Sequence, residues 1–147
     1  MTFVARIPAR AVRIVRSVLL PVFLAAGCAG PPPARVQRFG WVTGIRPEKI
    51  EDYKRLHASP WPGVNRMIKE CHIRNYSIWL GELEPGKYYL FSYLEYTGDD
   101  FAADLKKMAA DPETQRWWKE TDPCQQPPAT KKDPGIWMDL ERVYFLE

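Results

Sequence analysis

IRNYSIWLGELEPGKYYLFSYLEY, residues 73–96, is the stretch whose reading decides the fold. Ile73 to Leu80 reads as a strand, and Glu82 to Lys87, with Pro85-Gly86 at its centre, reads as a turn. Lys87 to Tyr96, dense in Tyr and Phe, is a second strand, so the two form an antiparallel hairpin. A hairpin of this kind, rings on one side and mixed residues on the other, needs flanking elements to cover it.

Those elements follow on both sides. Upstream, Arg38 to Ile45 alternates, with Phe39, Trp41, Thr43 and Ile45 on one face and Gly40, Val42 and Gly44 on the other, which is a further strand. Its glycines leave room for something to pack closely. Pro47 and Glu48 start a helix, with Pro tolerated and acid favoured in a first turn. The helix continues into IEDYKRLHASPWP, residues 50–62, and a second apolar helical face, Val64, Met67, Ile68 and Cys71, leads back to the hairpin. Downstream, Asp99 opens a helix with Phe101, Leu105, Met108 and Ala109 on its core face. Asp111-Pro112 restarts a helix, as N-cap and first residue, that carries Trp117 and Trp118. A polar, Pro-rich loop spans 122–135, and Trp137 to Leu146 alternates as a closing strand. The order β-α-β-β-α-β is the ferredoxin-like α+β arrangement, with a four-stranded antiparallel sheet. Helices cover one sheet face. The other presents Trp, Tyr and Phe and is expected to bury itself against a second copy, giving a two-fold homodimer of the dimeric α/β-barrel type.

Composition is that of a globular domain: 147 residues, 46% hydrophobic and 27% charged, with an unusually high 13% of aromatic residues. The net charge of +3 misleads. Four of the 21 Lys and Arg residues (Arg6, Arg10, Arg13 and Arg16) precede residue 28, where no acid occurs, leaving 17 basic against 18 acidic groups, a net of −1. A nucleic-acid partner, which would call for a basic face, is not expected.

Residues 1–28 read as an export signal: four arginines, the nine-residue apolar run Val18 to Ala26, then small residues. Nine residues fall well short of the ~20 that span a membrane. Leu24-Ala25-Ala26-Gly27-Cys28 resembles a bacterial lipobox, with Ala25 where Leu is commonest, which implies lipidation at Cys28. The alternative is simple cleavage near Ala26 or Ala29, releasing a soluble protein. Residues 29–36, with Pro31-Pro32-Pro33, form an extended tether, and 37–147 form the domain. The expected setting is a lipoprotein facing the periplasm or cell exterior and touching membrane only through its lipid. With Cys28 lipidated, Cys71 and Cys124 remain as either a disulfide or two buried thiols.

Tyr53 and His57, four residues apart on one helix, project the same way, and the stiff Ser59-Pro60-Trp61-Pro62 corner follows them. A lone His is more often packed or solvated than catalytic. Trp117 and Trp118 lie about 100° apart around their helix, so one fills core while at least one reaches a pocket. Tyr76 reads equally as sheet packing, His72 as structural, and Trp41, Trp79 and Trp137 as core or dimer interface. The two His and two remaining Cys lack any clustered ligand spacing, so no metal is expected, and no phosphate loop or nucleophile elbow occurs.

Tyr53-x-x-x-His57, Pro60-Trp61-Pro62, Asn75-Tyr76-Ser77-Ile78, Gln115-Arg116-Trp117-Trp118-Lys119 and Val143-Tyr144-Phe145-Leu146 together resemble the L-rhamnose mutarotase family, in order from about Phe39 to Leu146. The resemblance implies a dimeric ferredoxin-like isomerase that interconverts the α and β anomers of L-rhamnose, or of a similar 6-deoxy sugar, with no cofactor. It implies that His57 is the proton donor and that Tyr53, Tyr76, Trp117 and Trp118 contact the sugar. The chain departs from the family in its export signal, the 82–87 turn and the 122–135 loop, which puts the substrate and pathway in question more than the chemistry. It does not name the base partner of His57. Competing readings are a surface-anchored sugar-binding module and a cofactor-free oxygenase on the same fold.

Overall fold

The structure, a computed structural model, describes residues 36–146. The expected export signal, the Cys28 lipidation site and residues 29–35 of the tether lie outside the described residues. The chain runs as β1 (Gln37–Ile45), a 3₁₀ turn (Pro47–Lys49), α1 (Ile50–Ala58), α2 (Pro62–Glu70), β2 (Ile73–Glu84) and β3 (Lys87–Tyr96). It continues as α3 (Phe101–Ala110), α4 (Pro112–Thr121), a 3₁₀ turn (Asp122–Cys124), β4 (Gln125–Gln126) and β5 (Met138–Asp139).

Local chemistry accounts for these boundaries. Pro62 sits in the first turn of α2, where its missing N–H is no loss. The Asp100 carboxylate accepts from the Ala103 amide at 2.9 Å and the Asp111 carboxylate from the Thr114 amide at 2.7 Å, capping α3 and α4. Each crossover is therefore a pair of short helices, as the second apolar helical face from Val64 and the restart at Asp111-Pro112 indicate in the sequence. The hairpin turns at Pro85-Gly86, and its strands extend further than the sequence indicated, to Glu84 on β2.

The sheet order is β2-β3-β1-β4, antiparallel throughout, with β5 also on β1. The β1–β3 pairing runs unbroken from Gln37 opposite Tyr96 to Ile45 opposite Tyr88. This is the ferredoxin-like α+β fold that the order of elements predicted. The fourth strand differs from expectation. Only Met138 and Asp139 of the 137–146 stretch pair with β1, opposite Val42 and Trp41, while Gln125–Gln126 takes the edge beside Gly44 and Ile45. The free edge of β1 is thus shared between two short segments. After the Leu140 amide donates to the Gly40 carbonyl the chain leaves the ladder, so Val143 is 89% and Tyr144 76% exposed. Gly44 explains the close approach of β4: a Cβ there would lie 2.5 Å from the Gln126 carbonyl oxygen.

An irregularity in β2 sets up the site. Between Arg74, opposite Glu95, and Ser77, opposite Tyr93, β2 has one residue more than β3, a β-bulge. Asn75 adopts φ 48°, a left-handed conformation that Asn tolerates, and its amide donates to Glu95 at 2.6 Å. The bulge shifts the alternation, so Ile73, Tyr76, Ile78 and Leu80 all face the helices.

The apolar interior is divided. One cluster gathers Met67, Cys71, Ile73, Leu94, Tyr96 and Met108, the other Ile45, Tyr53, Leu90 and Cys124. Cys71 and Cys124 are both free and buried in different clusters, so the disulfide alternative is not the observed one. His72 is structural, its ring bonded to Asp104 at 2.8 Å, where the Tyr96 hydroxyl also donates.

Candidate active site

Between sheet and helices lies a cavity of about 670 Å³, inside the range typical of small-molecule sites. Its floor is aliphatic, with Ile45, Ile73, Ile78, Leu90 and Leu94 from the three long strands. Tyr53 and His57 come from α1, Tyr76 from the bulged part of β2, and Trp117 and Trp118 from α4. All five residues singled out in the sequence line this one cavity.

The α1 spacing has the expected consequence. The Tyr53 and His57 rings stack at 4.1 Å between centroids. His57 Nδ1 lies 2.9 Å from the Tyr53 carbonyl oxygen, which accepts only, so Nδ1 carries hydrogen and Nε2 is the nitrogen left for a ligand. Burial holds the His57 pKa below its ordinary value, with the carbonyl hydrogen bond opposing in part. The resting ring is accordingly neutral at neutral pH, with Nε2 a proton acceptor.

Trp117 stands edge-on to His57 at 5.2 Å and to Trp61 at 5.5 Å, so the Ser-Pro-Trp-Pro corner supports Trp117 from behind and Trp61 is absent from the cavity wall. Trp117 is buried and Trp118 half-buried, the division their angular offset required. Burial pushes the Tyr76 phenol up to about 12, although 40% of the residue is exposed. The two observations agree if the hydroxyl end is the enclosed part. The Tyr53 phenol is also raised, first by burial and then by Tyr76, Cys124 and Asp122 nearby. Both phenols stay protonated and keep an O–H to donate.

Sequence reasoning missed the far wall. Thr114, Asp122, Gln125 and the segment Gly135–Trp137 also line the cavity, Trp137 while packing on the Ile45 cluster as the core reading expects. The 122–135 loop has no periodicity, so nothing in it marked which residues would fold back over the helices.

The family model for L-rhamnose mutarotase matches residues 38–146. The L-rhamnose mutarotase of Bacillus subtilis strain 168 is 34% identical over 104 residues, 70% of this chain and 91% of that protein. The L-rhamnose mutarotase of Cronobacter sakazakii is 26% identical over 110 residues, 75% of this chain and 98% of that protein. Among solved structures, an L-rhamnose mutarotase of Formosa agariphila superposes with a TM-score of 0.57 at 21% identity, covering 76% of this chain and 99% of that one. Tetracenomycin F2 cyclase of Streptomyces glaucescens, a polyketide cyclase, superposes with a TM-score of 0.53 at 14% identity over 76% of this chain and 99% of that one, a likeness of fold alone. With the family model spanning nearly all the described residues and a relative above 30% identity covered almost end to end, the chain belongs to the L-rhamnose mutarotase family, whose members are isomerases acting on carbohydrates.

Proposed function

We propose that the protein is an aldose mutarotase that interconverts the α and β anomers of L-rhamnose or a similar 6-deoxy sugar by general acid–base catalysis at His57. The observation that carries this reading is the fixed tautomer of His57 inside an aromatic-walled cavity with room for a monosaccharide. Mutarotation needs a proton removed from the anomeric hydroxyl and one delivered to the ring oxygen, with no electron transfer. A neutral imidazole with Nε2 free takes the first proton on ring opening. As imidazolium it is the proton donor when the ring closes on the other face of the carbonyl. Trp117 and Trp118 offer flat apolar surface to sugar C–H groups and the 6-methyl, and Tyr53 and Tyr76 offer hydroxyls to its polar edge.

The exposed rings and leucines of the outer sheet surface and the carboxyl-terminal segment, among them Trp79, Leu83 and Tyr144, support a homodimer that buries them. Sedimentation at the mass of one chain would contradict that part of the reading.

The functional test is exchange between anomeric proton resonances, read by saturation-transfer NMR for L-rhamnose, L-fucose and L-lyxose. Acceleration is expected for L-rhamnose. L-Lyxose, which lacks the methyl group, should bind about fourfold more weakly, since one buried methyl is worth about 0.8 kcal/mol. No acceleration for any of the three would refute the assignment.

A further inference from the structure

The cavity wall built by α4 and the turn after it carries buried polar atoms that nothing in the fold satisfies. Gln125 is 6% exposed, and its amide nitrogen donates to the Thr121 carbonyl at 3.3 Å, which leaves Oε1 as the free end of the amide. That Oε1, and the Oγ1 of Thr114, which is 2% exposed, are buried without a hydrogen-bond partner among the described residues, and both residues line the cavity. An unpaired buried polar atom forfeits its hydration with nothing in return. Two on one cavity wall are accounted for if a hydroxylated ligand completes them.

Asp122 lies on the same turn, three residues before Gln125. Of the residues lining the cavity it is the only carboxylic acid; the other titratable groups there are Tyr53, Lys54 and His57 from α1 and Tyr76 from β2. It sits at the carboxyl end of α4, where the helix dipole disfavours negative charge. No lysine or arginine pairs with it among the salt bridges of the described residues. Its residue surface is largely exposed, yet the carboxyl group is enclosed enough that burial raises its pKa, and its charge reaches the Tyr53 phenol. α1 packs directly on this turn. A carboxyl group placed against a helix dipole, without a cation, on a wall with unsatisfied acceptors is poorly explained by stability.

We propose that Asp122 is the second proton-transfer group of the site, acting on the sugar ring oxygen while His57 acts on the anomeric hydroxyl. The inference rests on the mutarotase reading and deepens it. On opening, the O1–H proton passes to His57 Nε2, C1=O1 forms, and the C1–O5 bond breaks with its electron pair going to O5. O5 takes the proton of the Asp122 carboxyl. After rotation about C1–C2, O5–H returns its proton to the Asp122 carboxylate as O5 attacks C1, and O1 recovers the proton from His57. Both groups end as they began. The pair holds one proton in the active form, and burial, which disfavours imidazolium and carboxylate alike, favours the neutral arrangement this cycle starts from.

The test is Asp122→Asn, nearly isosteric, with Asp122→Glu beside it, measured on the full chain by L-rhamnose anomer exchange across pH with thermal melts of each variant. A wild type working through a one-proton pair gives a bell-shaped pH profile. Asp122→Asn should lose roughly 10²-fold or more in kcat, keep its KM and melting temperature close to wild type, and show a single titration rising with pH, that of His57 alone. Asp122→Glu should recover part of the rate and the bell. An Asp122→Asn variant with wild-type kcat and an unchanged bell overturns the proposal and leaves the mutarotase reading standing. If it unfolds, Asp122→Glu decides: a folded glutamate variant with a bell whose alkaline limb has moved supports the role, and one with the wild-type profile overturns it. A wild type that accelerates exchange at no pH overturns the functional reading itself.

Discussion

His57→Ala should lower the rate of L-rhamnose anomer exchange by roughly 10²–10⁴-fold, the usual worth of a positioned acid–base group. The fold should barely notice. His57 is half-buried, makes one hydrogen bond to the Tyr53 carbonyl, and leaves no buried charge behind when removed. A loss of about 1 kcal/mol is expected for that bond, measured by urea denaturation. The stacked Tyr53 ring remains in place to hold sugar, so saturation transfer from protein to L-rhamnose should persist in the variant. A variant that binds sugar and exchanges anomers as fast as wild type would remove His57 from the chemistry.

Trp117→Ala should have the largest effect on stability, about 3–5 kcal/mol, as for other buried aromatic truncations. Trp117 is 6% exposed and packs edge-on against both His57 and Trp61, so its loss opens the join between α1, the corner before α2, and α4. Natural domains hold about 5–15 kcal/mol in all, so a large part of the folded state's margin would go. Trp118→Ala, at a half-buried position that keeps the α1–α4 contact, should cost clearly less and act chiefly on KM. Equal destabilisation by the two substitutions, compared by urea midpoints, would contradict the division between a buried and a half-buried indole.

The elements legible in the sequence were those with strong local signals. The Pro85-Gly86 turn and the alternating Tyr and Phe of residues 87–96 marked the hairpin, and Asp111-Pro112 marked the start of α4 to the residue. The i, i+4 pair Tyr53 and His57 was legible because helix geometry alone brings them together. What was not legible depended on distant partners. The bulge at Asn75 is created by its register against β3, so no window around Tyr76 could reveal which face it takes. The closing strand differs for a similar reason: residues 137–146 alternate like a strand, but β4 occupies part of the free edge of β1, where Gly44 admits its close approach. Asp122 and Gln125 were hidden in a Pro-rich loop whose course is set by tertiary contacts rather than by period.

The central claim is that the cavity walled by α1, β2 and α4 catalyses anomer exchange. It is tested most directly by two-dimensional exchange NMR on the α and β anomeric protons of L-rhamnose with increasing amounts of the wild-type protein. An exchange rate that climbs in proportion to protein concentration is the predicted result. A rate that stays at the buffer value at every concentration, from protein that is folded and binds the sugar, would contradict it.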